Sequence, residues 1–165
     1  MVRLFDLDAG HLGCPHHLAM SPFHPDWRRK IMNHHVRSDA FTPPTTYWLA
    51  LHTTSLTTAN LPSSANEVSR TGTGYARMPV TTAMLSSATS ANSSVVLTTG
   101  VQFPDPLTNW TTIYAVSVHD SSVTSGGGAS TCVAFTNVVT TVNVSAGNPV
   151  RLSSGSTLGF SWGLS

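Results

Sequence analysis

The sequence predicts an all-β fold, an antiparallel β-sandwich with an N-terminal arm and one short helix, and three observations carry that prediction. Beyond residue 40, β-branched and aromatic residues fall in about seven or eight short runs bounded by Gly, Pro, Asn or Asp. Between those runs no stretch repeats the three-and-four spacing of an amphipathic helix. Hydrophobic residues make up 40% of the chain and charged residues only 9%, so there is apolar surface to bury and little repulsion to oppose burial. Strand spacing alone leaves Greek-key and jelly-roll sandwiches both open. The 165 residues are read as an arm and helix over 1–40 and a sandwich over 41–165.

The arm stands apart in composition. Six of the eight histidines lie before residue 36, and Pro15, Pro22 and Pro25 interrupt any long helix. Its apolar residues, among them Leu4, Phe5, Leu12, Leu18 and Phe23, are too numerous for a solvated tail. They imply docking, either on the chain's own sandwich or on a neighbouring subunit. From Asp26 to about Arg37 a short helix is expected, with Asp26 as N-cap and Trp27 and Ile31 on one face. Arg28, Arg29 and Lys30 on that helix form the only basic run. A solvated face is the plainer reading of them, and contact with an acidic patch on another protein the functional one.

Pro43-Pro44 sets an extended entry into a strand over Thr45 to Thr54. Tyr47, Leu49 and Leu51 face one way, Trp48, Ala50 and His52 the other, so the strand is expected to be central, with His52 packed inside. Residues 55–66 read as a surface loop. Val95-Val96-Leu97 and Val101-Gln102-Phe103 are short strands, and Thr112 to Asp120 alternates as a half-buried one. Cys132 to Thr136 and Val138 to Val144 read as two strands parted by a turn at Asn137; Asn148 to Leu152 and Leu158 to Trp162 follow.

The segment from Glu67 to Val80 is the hub of the reading. Gly72 and Gly74 permit a sharp reversal, and the strand after them, interrupted by Pro79, suits a sheet edge. Glu67, Arg70, Tyr75 and Arg77 are expected to hold this turn and position that edge. A phosphate cradle is excluded, because no Lys follows the glycines and the element they open is not helical.

The run of Trp27 to Val36, Ala40 to Thr53, Glu67 to Arg77, Asn109 to Ile113, Val118 to Asp120 and Val142 to Phe160 resembles a family of small tailed-phage virion proteins. Members are labelled tail-fibre or minor structural proteins, and relatives of similar architecture act as capsid decoration, or cement, proteins. The resemblance implies the jelly roll. It also implies a structural component of a tailed bacteriophage virion, first of all a decoration protein that stabilises the head by binding the major capsid protein. The alternative is a tail-fibre, tail-tip or baseplate component that binds a host glycan. The expected arrangement is a homotrimer on the capsid exterior, or on the tail, made in the host cytoplasm. Leu4, Phe5, Leu12, Leu18, Phe23, Trp27, Arg28 and Arg29 are then the contact residues. In the glycan reading, Trp110 and Trp162 would stack on sugar rings.

Little in the chain asks for chemistry. After residue 40 the only acids are Glu67, Asp105 and Asp120, each beside a turn signal, which argues against a carboxylate pair for glycoside hydrolysis. His119 and Asp120 are adjacent on a strand and point to opposite faces, so they cannot serve as a base and its orienting acid. No enzyme activity and no cofactor are expected. Cys14, His16, His17 and His24, with His34 and His35, are the candidate metal ligands, but their spacing matches no zinc finger and no metal is expected. A Cys14–Cys132 disulfide is not demanded by the spacing. A net charge of +1 offers no footprint for nucleic acid, and no apolar run is long enough to span a membrane.

Overall fold

The computed structural model describes residues 23–87, 95–122, 132–155 and 157–158. Its frame is a four-stranded antiparallel sheet of β1 (Thr46–His52), β2 (Met78–Thr81), β5 (Thr111–His119) and β6 (Cys132–Val144), in the order β2-β1-β5-β6. Two antiparallel ribbons accompany it, β3 (Val95–Val96) with β8 (Thr157–Leu158) and β4 (Val101–Gln102) with β7 (Arg151–Leu152). A single α-helix among the described residues, α1 (Pro25–Arg37), precedes them, and a 3-10 turn at Thr82–Met84 follows β2. The protein is all-β and antiparallel with one short helix, as its short bounded runs predict.

β1 is central, and Leu49, Ala50, Leu51 and His52 are all buried. β2 lies at the edge, where Pro79, opposite Trp48, interrupts no ladder on its outer side. Register places Leu49 opposite Val118, Leu51 opposite Val116, and Tyr47 opposite Val80. These residues share a face, and all but the half-buried Tyr47 are buried in the main core with Trp27, Leu97, Phe103 and Trp110. Leu56, Ala115, Cys132 and Phe135, with Leu61 against them, form a second cluster.

That second cluster corrects two expectations. The loop over 55–66 is not simply a surface loop, because Leu56 is fully buried and Asn66 is nearly so. β5 is consequently covered on both sides from Ala115 to His119 instead of alternating. The turn expected at Asn137 is absent, and residues 132–144 run as one strand. Pairing slips there, since Ala115 faces Asn137 while Ile113 faces Val142, so β6 carries the extra residues as a bulge. Asn137 uses that site to clamp the loop. Its Oδ1 accepts from Leu56 N–H at 2.8 Å and its Nδ2 donates to the Leu56 carbonyl at 3.0 Å.

The cap of α1 lies two residues earlier than expected, at His24 instead of Asp26. His24 is the N-cap, its Nδ1 accepting from Asp26 N–H at 3.3 Å, and Pro25 opens the helix where a missing N–H costs nothing. Asp26 is therefore in the first turn, not at the cap. Ser38 closes the helix in the left-handed region at φ 57°. The entry is stitched to the sheet: Phe23 bridges Ala134, and His24 N–H donates to the Val133 carbonyl at 2.8 Å. Of the two destinations open to this segment, the described part packs on the chain's own sheet. Among the described residues no helix is long and apolar enough to cross a membrane.

Candidate functional site

The turn after Glu67 is anchored on both sides. Gly74 sits at φ 77°, and a Cβ there would stand 2.9 Å from both the Asp105 carbonyl oxygen and Leu107, so only glycine lets the two loops approach. Thr73 takes part from the other direction, its carbonyl accepting from Leu107 N–H and from the Trp110 indole, each at 2.9 Å. The extended segment that leads into β2 brings Tyr75 and Arg77 back to Glu67.

Glu67 and Arg77 form a buried bidentate ion pair. Arg77 Nε donates to Oε1 at 3.0 Å and Nη2 to Oε2 at 2.7 Å, with the two side chains 2% and 1% exposed. Tyr75 Oη donates to Glu67 Oε1 at 3.1 Å and accepts from the Leu51 N–H of β1 at 2.9 Å. Arg70 reaches Glu67 Oε1 at 3.4 Å and the Ser122 carbonyl at 2.8 Å, and Arg77 also donates to the Ser121 carbonyl at 2.9 Å. Glu67, Arg70, Tyr75 and Arg77 thus converge and tie the turn to β1 and to the end of β5. Burial, then the Glu67 carboxylate, raises the Tyr75 phenol well above its ordinary range.

Beside this cluster runs a chain of hydrogen bonds whose proton order is fixed. Asn66 Oδ1 accepts from Ser63 N–H at 2.9 Å, which identifies that atom as the oxygen. His52 Nδ1 must therefore carry the hydrogen that it shares with the same oxygen at 2.9 Å. Its Nε2 is left to accept from Ser117 Oγ at 2.6 Å, and Ser117 Oγ then accepts from His119 Nε2 at 2.7 Å. Both rings are neutral in this order. Burial first, and then Arg77, holds His119 down to about 2; burial also lowers His52.

Ser117, His52 and Asn66 stand in the hydrogen-bond order of a Ser-His-Asn catalytic set, which the sequence reading missed because it weighed only His119 with Asp120. Ser117, His52 and His119 are each 0% exposed, and the Ser117 oxygen is already engaged on both sides. In this conformation the arrangement satisfies buried polar atoms and offers no substrate a path to the hydroxyl.

The other sequence candidates are scattered. Trp27, read as a contact residue, is 3% exposed and belongs to the core; Phe23 is half-buried against it, while Arg28 and Arg29 are exposed. Leu4, Phe5, Leu12, Leu18, Cys14, His16, His17 and Trp162 lie outside the described residues. His24 is buried and spent as a helix cap, and among the described residues no three His, Cys, Asp or Glu gather to hold a metal. Cys132 is a buried free thiol whose ionisation burial pushes up, and the Cys14 end of the disulfide considered above lies outside the described residues. Trp110 is buried under its own bond to Thr73 and offers no ring to a sugar. Of the three acids, Asp105 is exposed and Glu67 is committed to Arg77.

Asp120 borders a groove of about 320 Å³ between α1 and the segment 39–44. Trp27, Phe41 and Pro44 provide apolar surface, and Lys30 and Asp39 join Asp120 as its charged groups. Trp27 and Phe41 meet edge to face at 5.3 Å, and Lys30 Nζ lies 5.1 Å from the Trp27 ring centroid. Burial raises the Asp120 carboxyl above its ordinary value, with Lys30 acting against the rise. The Trp27 indole N–H is buried without an acceptor.

No curated protein matches the chain. Residues 23–158 match the family described as podophage GP4 fiber I protein gp80, from the residue that bridges α1 to the sheet through to the last described strand. With an antiparallel all-β fold beneath that match, the protein belongs to the podophage GP4 fiber I protein gp80 family, a family of tailed-phage virion structural proteins.

Proposed function

We propose that the protein is a non-enzymatic structural component of the podophage fibre, assembled there as a homotrimer and bound to other virion proteins. The observation that carries this reading is the family match, whose description names a fibre protein. The interior supports the absence of catalysis, because the buried serine, histidines and carboxylate are engaged with one another. The test is a density map of the purified virion with the protein tagged. Density in the fibre with threefold symmetry is the expected result, and absence from the particle would overturn the proposal.

A second reading, capsid decoration by a jelly-roll module bound to the major capsid protein, is favoured by the outer face of α1. Arg28, Met32 and Val36 recur there at four-residue spacing, and Met32 and Val36 are 54% and 73% exposed, an apolar stripe with a basic neighbour. Tagged density on the outer shell, together with capsids that lose thermal stability without the protein, would replace the fibre reading with this one.

A further inference from the structure

We propose that the groove between α1 and residues 39–44 is a binding site for a neutral pyranose of a surface polysaccharide. The inference deepens the fibre reading and rests on it for biological meaning, but its chemistry stands on the groove alone.

A pyranose ring presents two kinds of surface, C–H faces that pack on apolar side chains and a rim of hydroxyls that both donate and accept. The groove offers the counterpart of each. Phe41 and Pro44 form apolar walls with Trp27 behind them, and the rim combines acceptors, the carboxylates of Asp39 and Asp120, with a donor, the Lys30 ammonium. Asn33 and Thr42, also on the lining, add groups that donate and accept in turn. A volume of about 320 Å³ suits a ring or two and is too small for a folded partner.

Charge selects among sugars. Two carboxylates and one ammonium line the groove, so a uronic or sialic acid brings a third negative charge into a partly desolvated space. A neutral hexose brings none. The site is also held in place by structure: Asp120 follows β5 directly, Phe41 is braced edge-on by Trp27, and Lys30 and Asn33 project from a helix capped at both ends.

The experiment is a titration of the full chain, followed by NMR and calorimetry, with galactose, glucose and N-acetylglucosamine and their short oligomers, and with galacturonic acid as the charged control. At least one neutral sugar is expected to bind with a dissociation constant of about 1 mM, and galacturonic acid at least about tenfold more weakly. Asn33→Ala and Asp120→Asn should each weaken binding about tenfold while leaving the melting temperature in place. Should Asp120→Asn destabilise the fold, Thr42→Ala, which alters an exposed residue, supplies the same readout. No binding by any neutral probe, or binding indifferent to all three substitutions, overturns the proposal. Location in the fibre without sugar binding removes the groove inference alone. Sugar binding by a protein missing from the particle removes the fibre reading alone.

Discussion

The surroundings of Glu67 and the outer side of α1 hold most of the described charged residues, on opposite terms. Around Glu67 the carboxylate is met by Arg77, Arg70 and Tyr75, and the neighbouring His52, Ser117 and His119 satisfy one another in a single proton order. Along α1, Arg28, Arg29 and Lys30 are exposed, with Arg29 paired to Asp26 at 3.4 Å, Asp26 also within 3.7 Å of His24, and Lys30 lying over the Trp27 ring. The first region turns polarity into register, because an ion pair with two fixed forks permits one alignment of the turn against β1. The second leaves its polarity uncommitted, which is the condition for meeting something outside the chain.

The sharpest way to break this contrast is Glu67→Gln. The change removes the partner charge and leaves Arg77 buried without it, a loss expected to cost about 3–5 kcal/mol of stability, read as a shift of the urea midpoint at constant slope. A loss below about 1 kcal/mol would mean that the pair does not hold the turn.

The next effect is acid sensitivity. In the unfolded chain His52 and His119 titrate near 6.5, whereas the fold lowers both, His119 to about 2. Above pH 6.5 both states are neutral at these rings and stability is independent of pH through them. As pH falls below 6.5 the unfolded chain takes up protons that the folded chain refuses, so stability falls by up to about 1.4 kcal/mol per pH unit for each ring. Urea unfolding between pH 7 and 5 checks the sign, and His119→Asn should reduce the slope. A flat profile would mean that the rings are not held neutral.

Of these two regions, the first was half legible in the sequence. Gly72 and Gly74 marked a reversal, Pro79 marked an edge, and Glu67, Arg70, Tyr75 and Arg77 were assigned to the turn on residue type. The Ser117–His52 bond spans 65 positions and exists only because β5 pairs with β1, so no local pattern announces it. Nor did periodicity tell that loop 53–66 would cover β5, since Leu56 and Leu61 are isolated apolar residues in a Ser- and Thr-rich stretch. The groove needs Lys30, Asp39 and Asp120 from three separate segments. What the sequence did carry for α1 was its length and its basic run. It misassigned the cap, because Asp26 is the commoner capping residue and Pro25, with Pro15 and Pro22, reads as an interruption instead of a first helical residue.

A smaller effect belongs to the seam that closes the buried region. Asn137→Ala removes both bonds to Leu56 and leaves a buried N–H without its acceptor, which should cost about 1–3 kcal/mol. Hydrogen exchange at Leu56 and along loop 53–66 should accelerate while exchange in β1 does not. Equal acceleration in both would mean that the loop and the sheet open as one unit.

The smallest effect is the one that tests the other half of the contrast. Arg28 and Arg29 are exposed, and only Arg29 has a described ion-pair partner, Asp26, itself 45% exposed. The double substitution Arg28→Ala with Arg29→Ala should therefore change stability by less than about 0.5 kcal/mol. If the outer face of α1 is a virion contact, the same variant should be incorporated into particles less well than the wild-type chain, and the defect should deepen with added salt. A variant that is stable and fully incorporated would show that the helix face is merely solvated, and the burden of attachment would pass to the sheet edges. A variant that loses more than about 1 kcal/mol would show that these side chains are committed inside the chain after all, and the two regions would no longer differ in kind.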